Sequence, residues 1–243
     1  MQIILYLYQI RINKGEIISL FVDPKIEYNS ENLYAPSDDT YLLIDYFKRK
    51  ITKKFFDGIS LSGINKILDL GTGTGILAIF IQLIAIKLSF YKIKIYASDI
   101  LKDAIYCAKY NERLNNINQR IIFIHSNLFK SFPEVLKHKF NIIIFNPPYL
   151  PSSNLIINEQ TKINIDYSWN GGSKGYEILI DFLKTAKMYL NCHKMHYIYF
   201  ISSSRTDLNE LNIMINNLGY QNEVVDKKHI FFEDILLNRA KLV

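Results

Sequence analysis

From residue 66 onward, short aliphatic runs alternate with longer stretches whose apolar positions recur every three or four residues. The runs are KILDL at 66–70, IKIYASD at 93–99, IIFIHS at 121–126, NIIIF at 141–145 and HYIYFIS at 196–202. Unbroken aliphatic runs of this length suit strands covered on both faces, and their alternation with helices predicts an α/β fold with a mostly parallel, doubly wound sheet. The intervening periodicity predicts helices over about 75–88, 102–116, 174–190 and 206–218. LAIFIQLIAIKLSFYK, between the first two strands, is unusually long and apolar, and reads as an extended helix and loop. YQNEVVDKK and HIFFEDILLNRAKLV close the chain as two further strands joined by a basic turn, an antiparallel pair at the sheet edge.

Ahead of this alternation the rhythm differs. Residues 3–12 and 16–22 are rich in β-formers and flank Asn13-Lys14-Gly15, where Gly15 supplies the positive φ of a three-residue hairpin turn. The opening MQIILYLYQI is read as a strand, since it has no basic leader or small-residue cleavage site and is far shorter than a membrane span. YAPSDDTYLLIDYFKRK then offers Ser37 as a helix cap and Asp38 and Asp39 in the first turn. Leu42, Leu43, Tyr46 and Phe47 fall on one helical face. The expected organisation is a β-hairpin extension over 1–33 and one α/β domain over 34–243.

Composition narrows the picture only a little. The chain has 243 residues, 49 % of them hydrophobic, enough to bury one sizeable core. The net charge of +6 is spread through a chain rich in Lys, Asn, Ile and Tyr, with no dense basic block of the kind that marks a nucleic-acid face. Cys107 and Cys192 make neither a disulfide framework nor a CxxC metal site, which points to a cytoplasmic protein. His193 and His196 have metal-like spacing without nearby carboxylates or thiols, and are read as packing residues with no metal site.

The first candidate chemistry lies in ILDLGTGTGIL. Gly71, Gly73 and Gly75 follow the first parallel strand, at the carboxyl edge where open α/β sheets bind ligands. A dinucleotide fingerprint needs glycine at the position held by Ile76, and no Lys-Ser/Thr pair follows to make a Walker loop. Asp69 before the loop disfavours a pyrophosphate and suits a cationic ligand such as S-adenosylmethionine. Asp99 ends the second strand, placed to accept from ribose hydroxyls or to cap the following helix. Asn127, after the third strand, offers an acceptor for an adenine amino group. Three polar stations thus end three successive strands on one rim, although a lone GTGTG serves equally as a tight turn.

Asn146-Pro147-Pro148-Tyr149 closes the fourth strand on that rim. The lone pair of a planar amide or base amino group is conjugated, so the nitrogen is a poor nucleophile unless it is positioned. The Asn146 side-chain oxygen and the Pro147 carbonyl offer two acceptors that can each hold one N–H and turn the nitrogen towards a methyl donor. Proline fixes φ and removes competing donors, and Tyr149 offers a face for the planar target group. The alternative for Pro-Pro alone is a stiffened strand exit.

These residues together resemble the HemK group of class I S-adenosylmethionine-dependent methyltransferases, Rossmann-like enzymes that methylate the glutamine amide of peptide chain release factors. The resemblance covers residues 34 to about 240. It rests on YAPSDDTYLLID, ILDLGTGTG, ASDI, FNPPYLP and WNGGSKGYEILIDFL, in the family's order. YAPSDDT is similar to the archaeal and eukaryotic branch, not to the bacterial enzymes with a long helical N-terminal domain.

The resemblance implies cofactor contacts from Thr40, Asp69, Gly71, Gly73, Gly75, Asp99, Ile100, Asn127, Leu128 and Asn146. It implies catalysis by Asn146, Pro147 and Tyr149, and substrate contacts from these with Pro148, Trp169, Gly171 and Gly172. Against this, Thr40 reads equally as a capping-turn residue, and Trp169 to Gly175 as a Gly-rich lead into the next helix. Asn127 stands where the family more often has an acid. The branch typically works with a small zinc-binding activator protein that covers an apolar sheet edge. Adenine-N6 methylation of nucleic acid ranks second, since an exocyclic amine has the same planar geometry but normally requires a recognition domain. Lysine methylation and a non-catalytic cofactor-binding scaffold rank below it.

Overall fold

The structure, a computed structural model, describes residues 21–29, 33–117, 119–152 and 170–243. The expected N-terminal hairpin therefore lies outside the described residues except for its last two positions, and Trp169 lies outside them too.

In chain order the elements are α1 (Asp38–Lys50), β1 (Phe55–Phe56), β2 (Ile59–Ser60), β3 (Lys66–Leu70), α2 (Ile76–Lys87), β4 (Lys94–Asp99) and α3 (Lys102–Leu114). They continue with β5 (Ile121–His125), β6 (Ile142–Phe145), α4 (Glu177–Ala186), β7 (Tyr197–Ser203), α5 (Leu208–Asn217), β8 (Tyr220–Ile230) and β9 (Glu233–Leu242). The five aliphatic runs all form strands, and β3 coincides with KILDL. Seven strands make one sheet in the order β5-β4-β3-β6-β7-β9-β8. The first five are parallel, and β9 and β8 are antiparallel. Strand order reverses at β3, so the ends of β3 and β6 lie side by side at the switch point, with Leu70 opposite Phe145.

The sheet divides two apolar layers, which explains why its central strands β3 and β6 are apolar at nearly every position, Lys66 and Asp69 apart. Ile67, Ile142 and Ile144 face one core with α1 and α2, while Leu68, Ile143 and Phe145 face the other with α4. In α2, Ile76–Gln82 are all buried, so its sequence is apolar all round and not amphipathic. Residues 21–29 run across this layer without regular structure. Phe21 stacks on Phe80 at 6.2 Å, and the carboxamides of Asn111 in α3 and of Asn115 just after it take the Glu27 and Lys25 backbone amides at 2.9 and 2.8 Å.

Several expectations are corrected. Ser37 occupies the N-cap position of α1 but makes no side-chain capping bond. The helix expected from 174 begins only at Glu177, whose carboxylate accepts from the Ser173 hydroxyl and the Lys174 amide at 2.6 and 2.9 Å, holding the preceding turn out of the helix. The last two strands meet at Phe231-Phe232, not at the basic Lys227-Lys228, which remain paired within β8. His193 is exposed and does no packing.

The β1–β2 hairpin, which the hydrophobic pattern does not predict, presents Asp57. Buried at 7 % exposure, Asp57 accepts from Tyr46 of α1, Tyr199 of β7 and Arg239 of β9, each at 2.7 Å. It locks α1 against the sheet. Among the described residues no helix is long and apolar enough to cross a membrane.

Candidate functional site

The glycine loop leaves β3 at Gly71 and enters α2 after Gly75. Asp69, just before it, is 1 % exposed, and its Oδ2 accepts from the Thr72 hydroxyl at 2.6 Å and the Ala78 amide at 3.2 Å. Burial pushes this carboxyl up to about 7; the Thr72 and Ala78 bonds oppose the shift and nearby Asp99 adds to it. The acid expected to face a cationic ligand thus lies behind the loop and bolts it to α2. It does not line the cavity described below.

Gly75 is also set back from the cavity wall. A Cβ there would stand 2.8 Å from Ala108 Cβ, so α3 and the φ of +85° require glycine at this position. Asn111, fully buried on α3, donates to the Thr74 carbonyl at 2.9 Å and to Glu27 at 3.0 Å, joining the loop to the N-terminal segment.

Gly71, Thr72 and Gly73 do line the cavity. Asp99, 8 % exposed, accepts the Gly73 amide on Oδ2 and the Leu101 amide on Oδ1, both at 2.9 Å. It braces the glycine loop from the neighbouring strand and does not cap α3, whose N-cap residue is Leu101. Burial raises its pKa, against the two amide bonds and a third from Ile100. Ile100, Asn127 and Leu128 continue the wall along the ends of β4 and β5.

Across the switch point, Asn146, Pro147, Pro148 and Tyr149 form the facing wall. The Asn146 side-chain oxygen is buried and has no hydrogen-bond partner among the described residues. A buried acceptor left so costs about 1–3 kcal/mol, which a bound N–H removes. Tyr149, expected to offer a face to the planar target group, is 9 % exposed, and its hydroxyl donates to Asp39 Oδ2 at 3.1 Å.

Asp39 is the residue that sequence reasoning missed. It is 2 % exposed in the first turn of α1 and also accepts from the Tyr34 hydroxyl at 2.8 Å and the Thr40 hydroxyl at 3.1 Å. Three cavity residues, Tyr34, Thr40 and Tyr149, therefore share the carboxylate of a fourth, Asp39. An acid in a helix's first turn ordinarily signals only the helix dipole, which hid its second role.

Gly171 and Gly172 do not reach the cavity. They back the proline strand: the Gly171 amide donates to the Leu150 carbonyl at 2.9 Å, and Ser152 donates to the Gly172 carbonyl at 2.8 Å. A Cβ on Gly171 would come within 2.7 Å of the Pro148 carbonyl. Glycine is needed for two backbones to touch, so these residues support the wall from behind.

The walls enclose about 810 Å³, within the range of small-molecule sites and mixing apolar surface with a few convergent polar groups. A family profile for the methyltransferase small domain matches residues 46–162. A Methanocaldococcus jannaschii protein named "Putative protein N5-glutamine methyltransferase" is 31 % identical over 208 residues, 86 % of this chain and 91 % of its own. The chain belongs to the HemK group of methyltransferases.

Within that group the mouse methyltransferase HEMK2 is 23 % identical, covering 72 % of this chain and 75 % of its own. The release factor glutamine methyltransferase of Leptospira interrogans is 33 % identical over 64 % of this chain and 51 % of its own. The fold agrees with that of the E. cuniculi Mtq2-Trm112 complex, which methylates the eRF1 termination factor. Its TM-score is 0.56 at 18 % identity, with 87 % of this chain and 99 % of that one covered. The chain's strand order places the glycine loop and the Asn146 turn on adjacent strands, where one ligand can touch both.

Proposed function

We propose that this methyltransferase uses S-adenosylmethionine to methylate the side-chain amide of a glutamine in the Gly-Gly-Gln tip of a peptide chain release factor. The carrying observation is the unpartnered, buried Asn146 oxygen, one strand away from the Gly71 loop. The same residues fit the methyl donor: Gly71, Thr72 and Gly73 would receive its amino-acid end with Thr40, Asp99 and Ile100 its ribose, and Asn127 with Leu128 its adenine. The bound donor supplies an electrophilic sulfonium methyl.

The protein's own part is positional. Asn146 Oδ1 and the Pro147 carbonyl would each accept one N–H of the substrate amide, fixing the nitrogen and restricting its approach to one direction. Pro147 and Pro148 hold that carbonyl without a competing amide, and Asp39 holds Tyr149 from behind. No strong base is needed, because the nitrogen becomes more acidic once alkylated and then releases its proton.

Release factors work on ribosomes, so the reading places the enzyme in the cytoplasm, with a small activator subunit of the kind complexed with the E. cuniculi protein as its partner. Incubation with labelled S-adenosylmethionine and a release factor should yield methylglutamine at the Gly-Gly-Gln tip by mass spectrometry. Label found on adenine or lysine, or turnover unchanged in Asn146→Ala, would refute the assignment.

A further inference from the structure

β8 and β9 are joined by a two-residue turn, Phe231-Phe232, closed by the pair Ile230 and Glu233. The two side chains are 88 % and 89 % exposed, and Phe231 holds a φ of 48°. Short hairpin turns favour Gly, Asn or Asp where φ is positive, because a bulky side chain is strained there. Solvent disfavours two neighbouring exposed phenyl rings as well. Two local rules are thus broken at one place where folding gains nothing, the signature of a residue pair kept for contact with something else.

The turn's position says with what. β6 and β7 run parallel and end at the same edge of the sheet, β6 at the cavity, and Ile235 of β9 lies opposite Ser203, the last residue of β7. The turn is three to four residues beyond Ile235, so it projects roughly 10 Å past the end of β7. Its base is braced on both sides. Glu233 accepts from the Ser203 hydroxyl at 2.5 Å, and Lys228 pairs at 2.7 Å with Asp38, the neighbour of Asp39.

β9 lies two strands from β6, about 10 Å sideways from the Asn146 turn. Neither phenylalanine lines the cavity. A small ligand in the cavity does not span that gap, whereas a folded protein presenting a loop to it does. The cations around the turn are already matched: Lys227 with Asp234, Lys228 with Asp38, Arg205 with Glu233. That pairing disfavours a nucleic acid or an anionic membrane as the occupant and favours an apolar protein surface.

We propose that the Phe231-Phe232 turn is a docking finger for the body of the protein substrate, seated in an apolar depression beside the loop that carries the target glutamine. The proposal rests on the reading of the chain as a protein glutamine methyltransferase. The finger acts by holding the substrate's body, leaving the chemistry to the cavity.

The test is the double variant Phe231→Gly with Phe232→Asn, which puts glycine at the positive-φ position of the turn and so preserves the hairpin. With full-length release factor, KM should rise about tenfold, the loss typical of removing an aromatic interface anchor, while kcat stays within about twofold. S-adenosylmethionine binding by calorimetry, and the rate on a Gly-Gly-Gln peptide too short to reach the turn, should not change. Phe231→Tyr with Phe232→Tyr should restore most of the affinity. An unchanged KM in the double variant, where the wild type does methylate the release factor, overturns the finger alone. A wild type that methylates no release factor overturns the parent reading and the finger together. Self-association in sedimentation that the variant abolishes, with KM unmoved, assigns the turn to a second copy of the chain and overturns the proposal.

Discussion

The Tyr149 hydroxyl donates to the Asp39 carboxylate at 3.1 Å, although 110 positions separate the two residues. This bond ties the proline turn that ends β6 to the first turn of α1, and the same carboxylate takes Tyr34 and Thr40. One wall of the cavity is therefore set by an acid that makes no covalent chemistry of its own.

Asp39→Ala removes the acceptor that Tyr34, Tyr149 and Thr40 share. Each hydroxyl that loses a buried partner costs about 1–3 kcal/mol. Thermal unfolding should show a clear drop in Tm, and kcat should fall more than cofactor affinity does. Tyr149→Phe, which removes one donor and leaves the carboxylate its others, should be milder in both measurements.

Asn146→Ala removes the unpartnered buried oxygen, so stability should hold or rise slightly while turnover falls by about 10²–10³, the usual effect of losing one positioned polar group at a reacting centre. Calorimetry should find cofactor binding nearly unchanged. A variant with wild-type kcat would remove the proposed clamp from the mechanism.

Asp69 predicts a pH dependence of stability. Its carboxyl is raised from 3.8 to about 7 in the folded protein, chiefly by burial. The folded state therefore binds the proton more tightly than the unfolded one. The stability this proton supplies is fully present below 3.8 and is lost as pH rises through 7, on the order of 4 kcal/mol across the window. Asp69→Asn should flatten the fall in denaturation midpoint between pH 5 and 7.5, leaving only the contribution of Asp99, which shifts in the same direction.

Gly171→Ala would set a methyl group 2.5 Å from the Gly175 carbonyl and 2.7 Å from that of Pro148. Backbone on both sides cannot yield without moving the proline turn. Destabilisation of at least about 2 kcal/mol is expected by overpacking, together with loss of activity. Unfolding in urea, run beside a turnover assay, checks both effects.

Much of the architecture was legible because it depends on periodicity and on short-range chemistry. Five aliphatic runs marked five strands, since the inner ones are buried on both faces and tolerate little else, although β5 at the sheet edge leaves Ile122 exposed. The Gly71 loop and the Asn146 turn could be placed on one rim because successive parallel strands end on the same side. Asp69 and Gly171 were harder. Their residue types suit both a ligand contact and a structural support, and only the packed neighbours, Ala78 in the following helix for one and Pro148 for the other, decide between these.

The chain's own pattern of residues determined the strand succession, the polar stations at the strand ends and the kind of chemistry they suit, because these follow from local spacing and side-chain type. Tertiary structure alone decided that Asp39 braces Tyr149, that Asp69 faces inward, and that two phenylalanines stand above the rim. Those outcomes depend on which distant surfaces meet and exclude water, and no local pattern of residues encodes that meeting.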